Sequence, residues 1–216
     1  MLMLMYKHII IASLFIFVCF NCFSQPTGFK PLADETAFRK KISTTAQSTL
    51  TIKSNFVQEK NIQVVSEKII SKGTFKFKKQ NKVRMEYLQP YRYLLIINND
   101  KVSIKDEQKT NSFSSKSNKL FTIINNIIID CVQGTAMNNK NFTASVFSND
   151  KNYLMILTPV KKDLGDFFKN ISVYMDIKDG TVSKIDMLEP SGDNTVIIFT
   201  DKEINVSIPD AEFSTN

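Results

Sequence analysis

Alternation of apolar and polar residues, with a period of two, is the main pattern of this chain. Residues 74–78 and 82–87 alternate cleanly, and the same pattern returns at 142–146 and 171–177. Successive side chains of a strand point to opposite faces of a sheet. Each segment is therefore predicted to be a strand with one buried face and one solvent-facing face.

Short polar turn sequences separate these predicted strands. They lie at residues 80–81, 98–100, 149–150, 179–180 and 191–193. Connections of this length join antiparallel neighbours, whereas parallel strands need crossovers of a dozen or more residues. The chain is therefore predicted to be mainly β, with one long antiparallel sheet. A sheet of that size tends to curl.

Two segments have the spacing of amphipathic helices instead. In residues 34–50 apolar side chains recur every four positions, and Asp34 can cap the first turn. Those apolar residues are Phe38, Ile42, Ala46 and Leu50. The predicted helix should pack its apolar side on the sheet.

The second helical segment ends at Gly134, a plausible terminator. Its apolar positions are Leu120, Ile123, Ile124, Ile127, Ile128 and Cys131. The β-branched run 127–129 could equally form a strand, but its position between polar stretches favours a helix. A third set, Leu164, Phe167 and Phe168, indicates a short helix or an apolar loop. Helices packed on the sheet leave either a lined cavity or a filled core.

The N-terminus has the features of an export signal. Residues 9–20 are an apolar run interrupted only by Ser13, too short for a membrane-spanning helix, which needs about 20 residues. Small residues at Cys22 and Ser24 predict cleavage after Ser24. We expect a signal peptide at 1–24 and a single domain at 25–216. The alternatives are an uncleaved anchor or an acylated cysteine at Cys19 or Cys22.

Cleavage would change the chemistry available to the chain. The one histidine, His8, leaves with the signal, and Cys131 becomes the sole cysteine. This excludes triads and dyads that need histidine, and histidine-rich metal sites. The glycines stand alone, so no phosphate-binding loop is indicated. No enzyme activity, cofactor or metal is therefore expected, although a pair of carboxylates is not excluded.

The formal net charge of +7 raises the question of an acidic partner. The densest basic cluster consists of Lys76, Lys78, Lys79 and Lys82. Such a cluster is usually a solvated strand face, and the alternative is a surface for phosphate or an acidic partner. Export and the interleaved acidic residues argue against nucleic acid.

Several motifs, in order along the chain, resemble one known family. Residues 55–58 are similar to the "F-x-Q" strand of LolA-type lipoprotein carriers, and residues 73–90 are similar to their central hairpin. Further similarities lie at 94–106, 120–134, 157–159, 193–199, Asn205 and 209–213. The resemblance covers nearly all of the chain after residue 24.

The resemblance implies an incomplete antiparallel β-barrel covered by helices. It implies a periplasmic carrier whose cavity shields the acyl chains of lipoproteins. The implied partners are acylated lipoproteins, an inner-membrane lipoprotein-releasing ABC transporter and an outer-membrane acceptor, and we expect a monomer. Lys79 stands where the family has an arginine that helps transfer and the hydrogen bonding of the lid. Lysine keeps the charge but not the planar fork.

The expected acyl-binding cavity is apolar, with Lys79 near its mouth. The predicted lining residues are Phe56, Phe75, Phe77, Met85, Tyr87, Ile124 and Ile128. The chain has 17 Phe, 8 Met and no Trp, which suits an adaptable cavity. Each of these residues could instead simply fill a core. Two alternative functions stay open: a carrier or sensor of another apolar ligand, such as a glycolipid, pigment lipid or fatty acid, and an interaction module without a ligand.

Overall fold

The computed structural model describes residues 25–99, 101–106, 110–114, 126–131 and 133–214. The helices are α1 (Glu35–Ser48), α2 (residues 126–131) and α3 (Lys162–Gly165), and two 3-10 turns lie at Ala136–Asn138 and Asp210–Phe213. The strands are β1 (Lys30–Pro31), β2 (Thr51–Ile62), β3 (Glu67–Lys78), β4 (Lys82–Gln89), β5 (Tyr93–Asn98), β6 (Lys101–Lys105), β7 (Thr110–Ser114), β8 (Phe142–Ser148), β9 (Asn152–Pro159), β10 (Asn170–Asp176), β11 (Val182–Leu188) and β12 (Asn194–Ile204).

All twelve strands belong to one antiparallel sheet. Their order is β1-β8-β9-β10-β11-β12-β2-β3-β4-β5-β6-β7, so β12 pairs with β2 and joins the two halves of the chain. The sheet is not closed, and β1 and β7 are its edge strands. The predicted mainly β fold, with an incomplete barrel covered by helices, is confirmed.

The sheet curls around a single apolar core. Val102 on β6 and Val173 on β10 belong to the same core cluster, and both are fully buried. Six strands lie between β6 and β10 in the sheet order. Their side chains can share one core only if the sheet bends back on itself. We call the face that holds this core the inner face.

The period-two pattern places the predicted residues on the inner face. Phe75, Phe77, Val83 and Met85 are buried, while the residues between them are partly exposed. Gly73 continues this row, and a Cβ there would lie 2.0 Å from the Glu86 backbone oxygen. The close packing of β3 against β4 at this point therefore needs glycine.

Helix α1 begins as predicted. Asp34 is the N-cap residue, and its Oδ1 accepts a hydrogen bond of 2.9 Å from the Ala37 N–H. Phe38, Ile42 and Ala46 are buried. The expectation that Leu50 continues this apolar row is wrong, because the helix ends at Ser48 and the extended backbone that follows leaves Leu50 55% exposed.

Residues 127–129 are helical and buried, so the helix predicted there is confirmed for the described part of the segment. Gly134 follows α2 with a φ of +67°, as expected of a terminator. A Cβ at Gly134 would lie 3.0 Å from the Ile42 backbone oxygen, so α2 ends against α1. The predicted positions Leu120, Ile123 and Ile124 lie outside the described residues.

The third predicted segment is a short helix that continues as a loop. Leu164 is buried in α3, and Phe167 and Phe168 follow the helix. Phe168 is buried in the main core.

The opposite, outer face of β3–β5 is covered by residues 206–213, which we call the C-terminal strap. Ile208 and Phe213 of the strap pack on Ile96 in a second apolar cluster. Asp210 lies 2.7 Å from the Lys78 ammonium and 3.1 Å from that of Lys82. The basic cluster noted in the sequence thus has an acidic partner within the same chain.

Candidate functional site

A small cavity lies between the inner face of the sheet and helices α1 and α2. Its volume is about 40 Å³, enough for only a few water molecules. Its walls are Ile42, Thr45, Ala46 and Thr49 of the α1 region, Ile128 and Cys131 of α2, and Ile52, Ser54, Phe75, Gly180, Thr181, Val182, Ile185, Phe199 and Lys202 of the sheet and its turns.

This cavity is much smaller than a typical ligand site, which measures about 300–1,000 Å³. The ligand-sized cavity predicted from the sequence is not open between the described elements. Ile42 of α1 and Ile127 and Ile128 of α2 are buried against the sheet and occupy the space. An acyl chain could enter the interior only if one of these helices moved.

The predicted lining residues that the structure describes lie on the inner side, but they differ in position. Phe75 and Ile128 line the cavity. Phe56, Phe77 and Met85 are buried in the surrounding core without reaching the cavity wall.

Two further predicted lining residues remain. Tyr87 is half-buried, and Ile124 lies outside the described residues. The Tyr87 ring meets Phe56 edge to face at 4.9 Å, and its hydroxyl donates to Gln58 Oε1 at 2.9 Å. Burial, with a smaller contribution from Tyr93, raises the pKa of Tyr87 to about 12. Tyr87 therefore stays protonated and supports Phe56 as a packed aromatic pair.

Lys79 lies in the turn between β3 and β4. Its Nζ donates a hydrogen bond of 2.8 Å to the backbone oxygen of Gln47, in the last turn of α1. The free carbonyls at a helix C-terminus carry partial negative charge, so a lysine is favourable there. The turn itself has φ values of +75° at Gln80 and +58° at Asn81.

The same turn contacts the end of α2. Gln133 donates through Nε2 to Asn81 Oδ1 at 3.0 Å. We call Lys79 and Asn81 the turn latch, because they hold α1 and α2 to one point of the sheet. Sequence reasoning identified Lys79 but missed Asn81 and Gln133, since nothing in the spacing of these residues links them.

Helix α1 has additional polar anchors. Lys41 Nζ donates to the backbone oxygens of Ile177 and Lys178 at 2.6 and 3.0 Å. At the C-terminal end of α1, Asn205 bonds to the Ser48 oxygen and the Leu50 N–H at 2.9 and 2.7 Å. These contacts hold α1 in place at its middle and at its C-terminal end, so α2 is the better candidate for the element that moves.

Cys131 lies on α2 and lines the cavity. Burial, with a smaller contribution from Asp130, raises the pKa of its thiol to about 12. The thiol is therefore protonated at neutral pH and acts as a small apolar group, as the sequence indicated. In the part of the chain that the structure describes, no group of three or more His, Cys, Asp or Glu side chains is placed to hold a metal ion.

Residues 47–216 match the family described as outer membrane lipoprotein carrier protein LolA. The chain belongs to the LolA family. The match begins within α1 and includes the cavity wall except Ile42, Thr45 and Ala46 of that helix. Members of this family are carrier or binding proteins, so membership supports a role of that general kind. Among the described residues, no helix is both long enough and apolar enough to cross a membrane.

Solved structures with the same fold are distant in sequence. A LolA superfamily protein from Nitrosomonas europaea is 10% identical, with a TM-score of 0.46. The match covers 82% of this chain and 97% of the Nitrosomonas chain. A lipoprotein-sorting protein domain from Vibrio parahaemolyticus is 11% identical, with a TM-score of 0.46 and coverages of 81% and 95%. MucB of the Pseudomonas aeruginosa MucA/MucB complex is 12% identical, with a TM-score of 0.47 and coverages of 85% and 62%. No curated protein matches the chain.

Proposed function

We propose that this protein is a periplasmic carrier that binds the acyl chains of lipoproteins and delivers them from the inner to the outer membrane. In this proposal residues 1–24 are a signal peptide cleaved after Ser24, and residues 25–216 form the carrier domain. An inner-membrane ABC transporter loads the carrier, and an outer-membrane acceptor unloads it. Family membership and the construction of the interior support this proposal.

The observation that carries the proposal is the way in which the apolar inner face is covered. Isoleucines of α2 lie on it, and the hydrogen bond from Gln133 to Asn81 ties the end of α2 to the sheet. Asp130 of α2 accepts instead from Thr135 and Asn139, which follow the helix in the chain. Apolar contacts are non-directional, so an acyl chain can replace them. A cover of this kind can exchange with lipid without loss of a specific partner.

The energetics of this exchange favour reversible binding. Burial of acyl carbon contributes about 0.8 kcal/mol per CH₂. Displacing Ile127 and Ile128 from the sheet exposes apolar side chains and offsets part of that gain. The net affinity is therefore lower than the gross burial of the lipid, which allows an acceptor to remove it.

The proposed acyl-binding residues are Phe56, Phe75, Phe77, Met85 and Tyr87 of the inner face, Ile128 of α2, and Ile124, which lies outside the described residues. Lys79 takes part in handover, because it lies in the turn whose Asn81 must release Gln133 when α2 moves, and its own bond to Gln47 can rearrange with that turn. An exposed lysine can break and re-form such a bond at little cost.

The proposal is tested with a matched pair of peptides, one carrying the diacylated N-terminal cysteine of a lipoprotein and one without acyl groups. The mature protein, beginning at Gln25, should bind the first and ignore the second in isothermal titration. Mass spectrometry of protein isolated from the periplasm should find acylated cargo. Equal binding of the two peptides, or binding of neither, would contradict the carrier function.

A further inference from the structure

A β-bulge on β12 changes which charge faces the inner side of the sheet. The pairing of β12 with β2 shifts register between Thr200 and Glu203, and Asp201 has a φ of +52°. Phe199 faces the cavity, so strict alternation would next turn Asp201 inward and Lys202 outward. The extra residue of a bulge reverses that order. Lys202 lines the cavity instead.

Contacts on the outer face confirm this reversal. Asp201 Oδ2 accepts a hydrogen bond of 2.9 Å from Asn55 Nδ2, and Glu203 lies 2.8 Å from the Lys53 ammonium. Both acidic residues flanking Lys202 therefore point away from the cavity. The bulge gives an otherwise uncharged cavity wall a cationic group and no carboxylate from this strand.

The Lys202 ammonium is held at the edge of the cavity by neutral oxygens. It donates to Thr181 Oγ1 and, at 3.4 Å, to the backbone oxygen of Val182. The neighbouring Asp179 carboxylate accepts from both the N–H and the hydroxyl of Thr181 at 2.7 Å. An ammonium has three donors, so Lys202 can donate to a further oxygen in the cavity.

Ser54 faces the same point from the neighbouring strand. On β2 it lies between Lys53, which pairs with Glu203, and Asn55, which pairs with Thr200. Ser54 is therefore opposite the bulge on β12. It is 3% exposed and lines the cavity, and its hydroxyl has no hydrogen-bond partner among the described residues.

The other hydroxyls of the described cavity wall are bonded within the protein. Thr45 donates to the Asp179 backbone oxygen, Thr49 to the Thr45 oxygen and Thr181 to the Asp179 carboxylate. A buried hydroxyl without a partner is unfavourable and uncommon. A ligand oxygen would supply the partner that Ser54 lacks.

We propose that Lys202 and Ser54 bind the carbonyl end of an acyl chain, with the rest of the chain lying along the apolar wall. This inference rests on the proposed carrier function and adds the orientation of the bound chain. The shared chemistry is an acyl oxygen that accepts hydrogen bonds. Its source is either the carboxylate of a free fatty acid or the carbonyl of an acyl ester.

The test compares dodecanoic acid, methyl dodecanoate and an apolar reporter dye, N-phenyl-1-naphthylamine, in displacement titrations. Lys202→Met should weaken binding of an acyl oxygen by about tenfold, because a charge-assisted hydrogen bond is lost. Ser54→Ala should weaken it by a few fold. Both variants should bind the dye as the wild type does. Weaker binding of the acid alone identifies a carboxylate site. Weaker binding of both the acid and the ester identifies a carbonyl site.

The matched control is Lys53→Met, which removes a lysine from the same pair of strands on the outer face. It should leave all three affinities unchanged. Ser54→Ala should also keep or raise the thermal midpoint, because it removes a hydroxyl without a partner among the described residues. If Lys202→Met does not fold, Ser54→Ala still tests the site. The inference is overturned if Ser54→Ala binds the acid and the ester as tightly as the wild type does. The same holds for Lys202→Met, provided that this variant folds. If the wild type binds neither dye nor acyl ligand, the carrier proposal falls as well.

Discussion

The two faces of the sheet are covered in chemically different ways. On the inner face, α2 packs Ile127, Ile128 and Cys131 on apolar side chains of the strands. On the outer face, the C-terminal strap adds ion pairs to its apolar contacts, with Asp210 between Lys78 and Lys82.

This difference separates a replaceable cover from a permanent one. An acyl chain can take over apolar contacts, because they depend on buried area rather than direction. It cannot supply the carboxylates that bind the lysines of the outer face. We therefore expect lipid to displace α2 and to leave the strap in place.

Truncation of one apolar anchor on each face should give the largest effects. Ile128→Ala should lower the free energy of unfolding by about 2–5 kcal/mol, and Phe213→Ala by about 3–5 kcal/mol. Their effects on binding should differ. Ile128→Ala should tighten acyl binding because α2 competes less for the sheet, whereas Phe213→Ala should not change it. Urea unfolding measures the free energy of unfolding, and titration with the diacylated peptide measures its affinity. Weaker binding by Ile128→Ala would argue against competition between α2 and the acyl chain for the sheet.

The reactivity of Cys131 should report the position of α2. With its pKa raised to about 12, the thiol should react with iodoacetamide at pH 8 about a thousandfold more slowly than an exposed cysteine. The diacylated peptide should increase that rate, because it displaces α2. The unacylated peptide is the control. A thiol that reacts rapidly in the empty mature protein would show that α2 does not cover the sheet.

Acid should weaken the strap. Hydrogen bonds from Lys78 and Lys82 lower the pKa of Asp210 below its ordinary 3.8, and Lys76 lowers the pKa of Glu212 below its ordinary 4.5. Depressed carboxyl pKa values stabilise the folded state above the ordinary values, and this contribution is lost as the pH falls through the folded-state values.

The thermal midpoint of the wild type should therefore fall between about pH 5 and pH 3 more steeply than that of an Asp210→Asn, Glu212→Gln double variant. Scanning calorimetry across this range makes the comparison. Parallel curves for the two proteins would mean that the ion pairs do not hold the strap.

The smallest stability effect is expected at the turn latch. Lys79→Leu should change the free energy of unfolding by about 0.5 kcal/mol or less, because the ammonium is exposed. It should slow transfer of a lipoprotein to acceptor vesicles. The control is Lys72→Leu, which replaces an exposed lysine on β3, the strand that leads into this turn. Marked unfolding of Lys79→Leu with normal transfer would assign it a structural role instead.

Much of the fold could be predicted because one face of each strand is buried. Alternation located Phe75, Phe77 and Met85 on the inner face, and four-residue spacing located Phe38 and Ile42 on α1. Local patterns carry this information, since burial repeats with the period of the element. The end of α1 was placed too late because Leu50 has the right spacing but follows the helix.

The polar parts of the site could not be predicted in the same way. Lys202 faces inward only because of a bulge, which breaks the period-two rule that would have placed it outside. Ser54 stands out only because its hydroxyl has no hydrogen-bond partner in the part of the chain that the structure describes. The acceptor for Lys79 is a backbone oxygen, that of Gln47, and a backbone atom leaves no signal in the sequence.

Hydrogen–deuterium exchange with and without the diacylated peptide tests the central claim most directly, because it follows α2 and the strap in one experiment. The account predicts faster exchange of amides in residues 126–131 when the peptide is bound, unchanged exchange in residues 206–213, and no effect of the unacylated peptide. Exchange that changes in the strap while residues 126–131 stay protected would contradict the account.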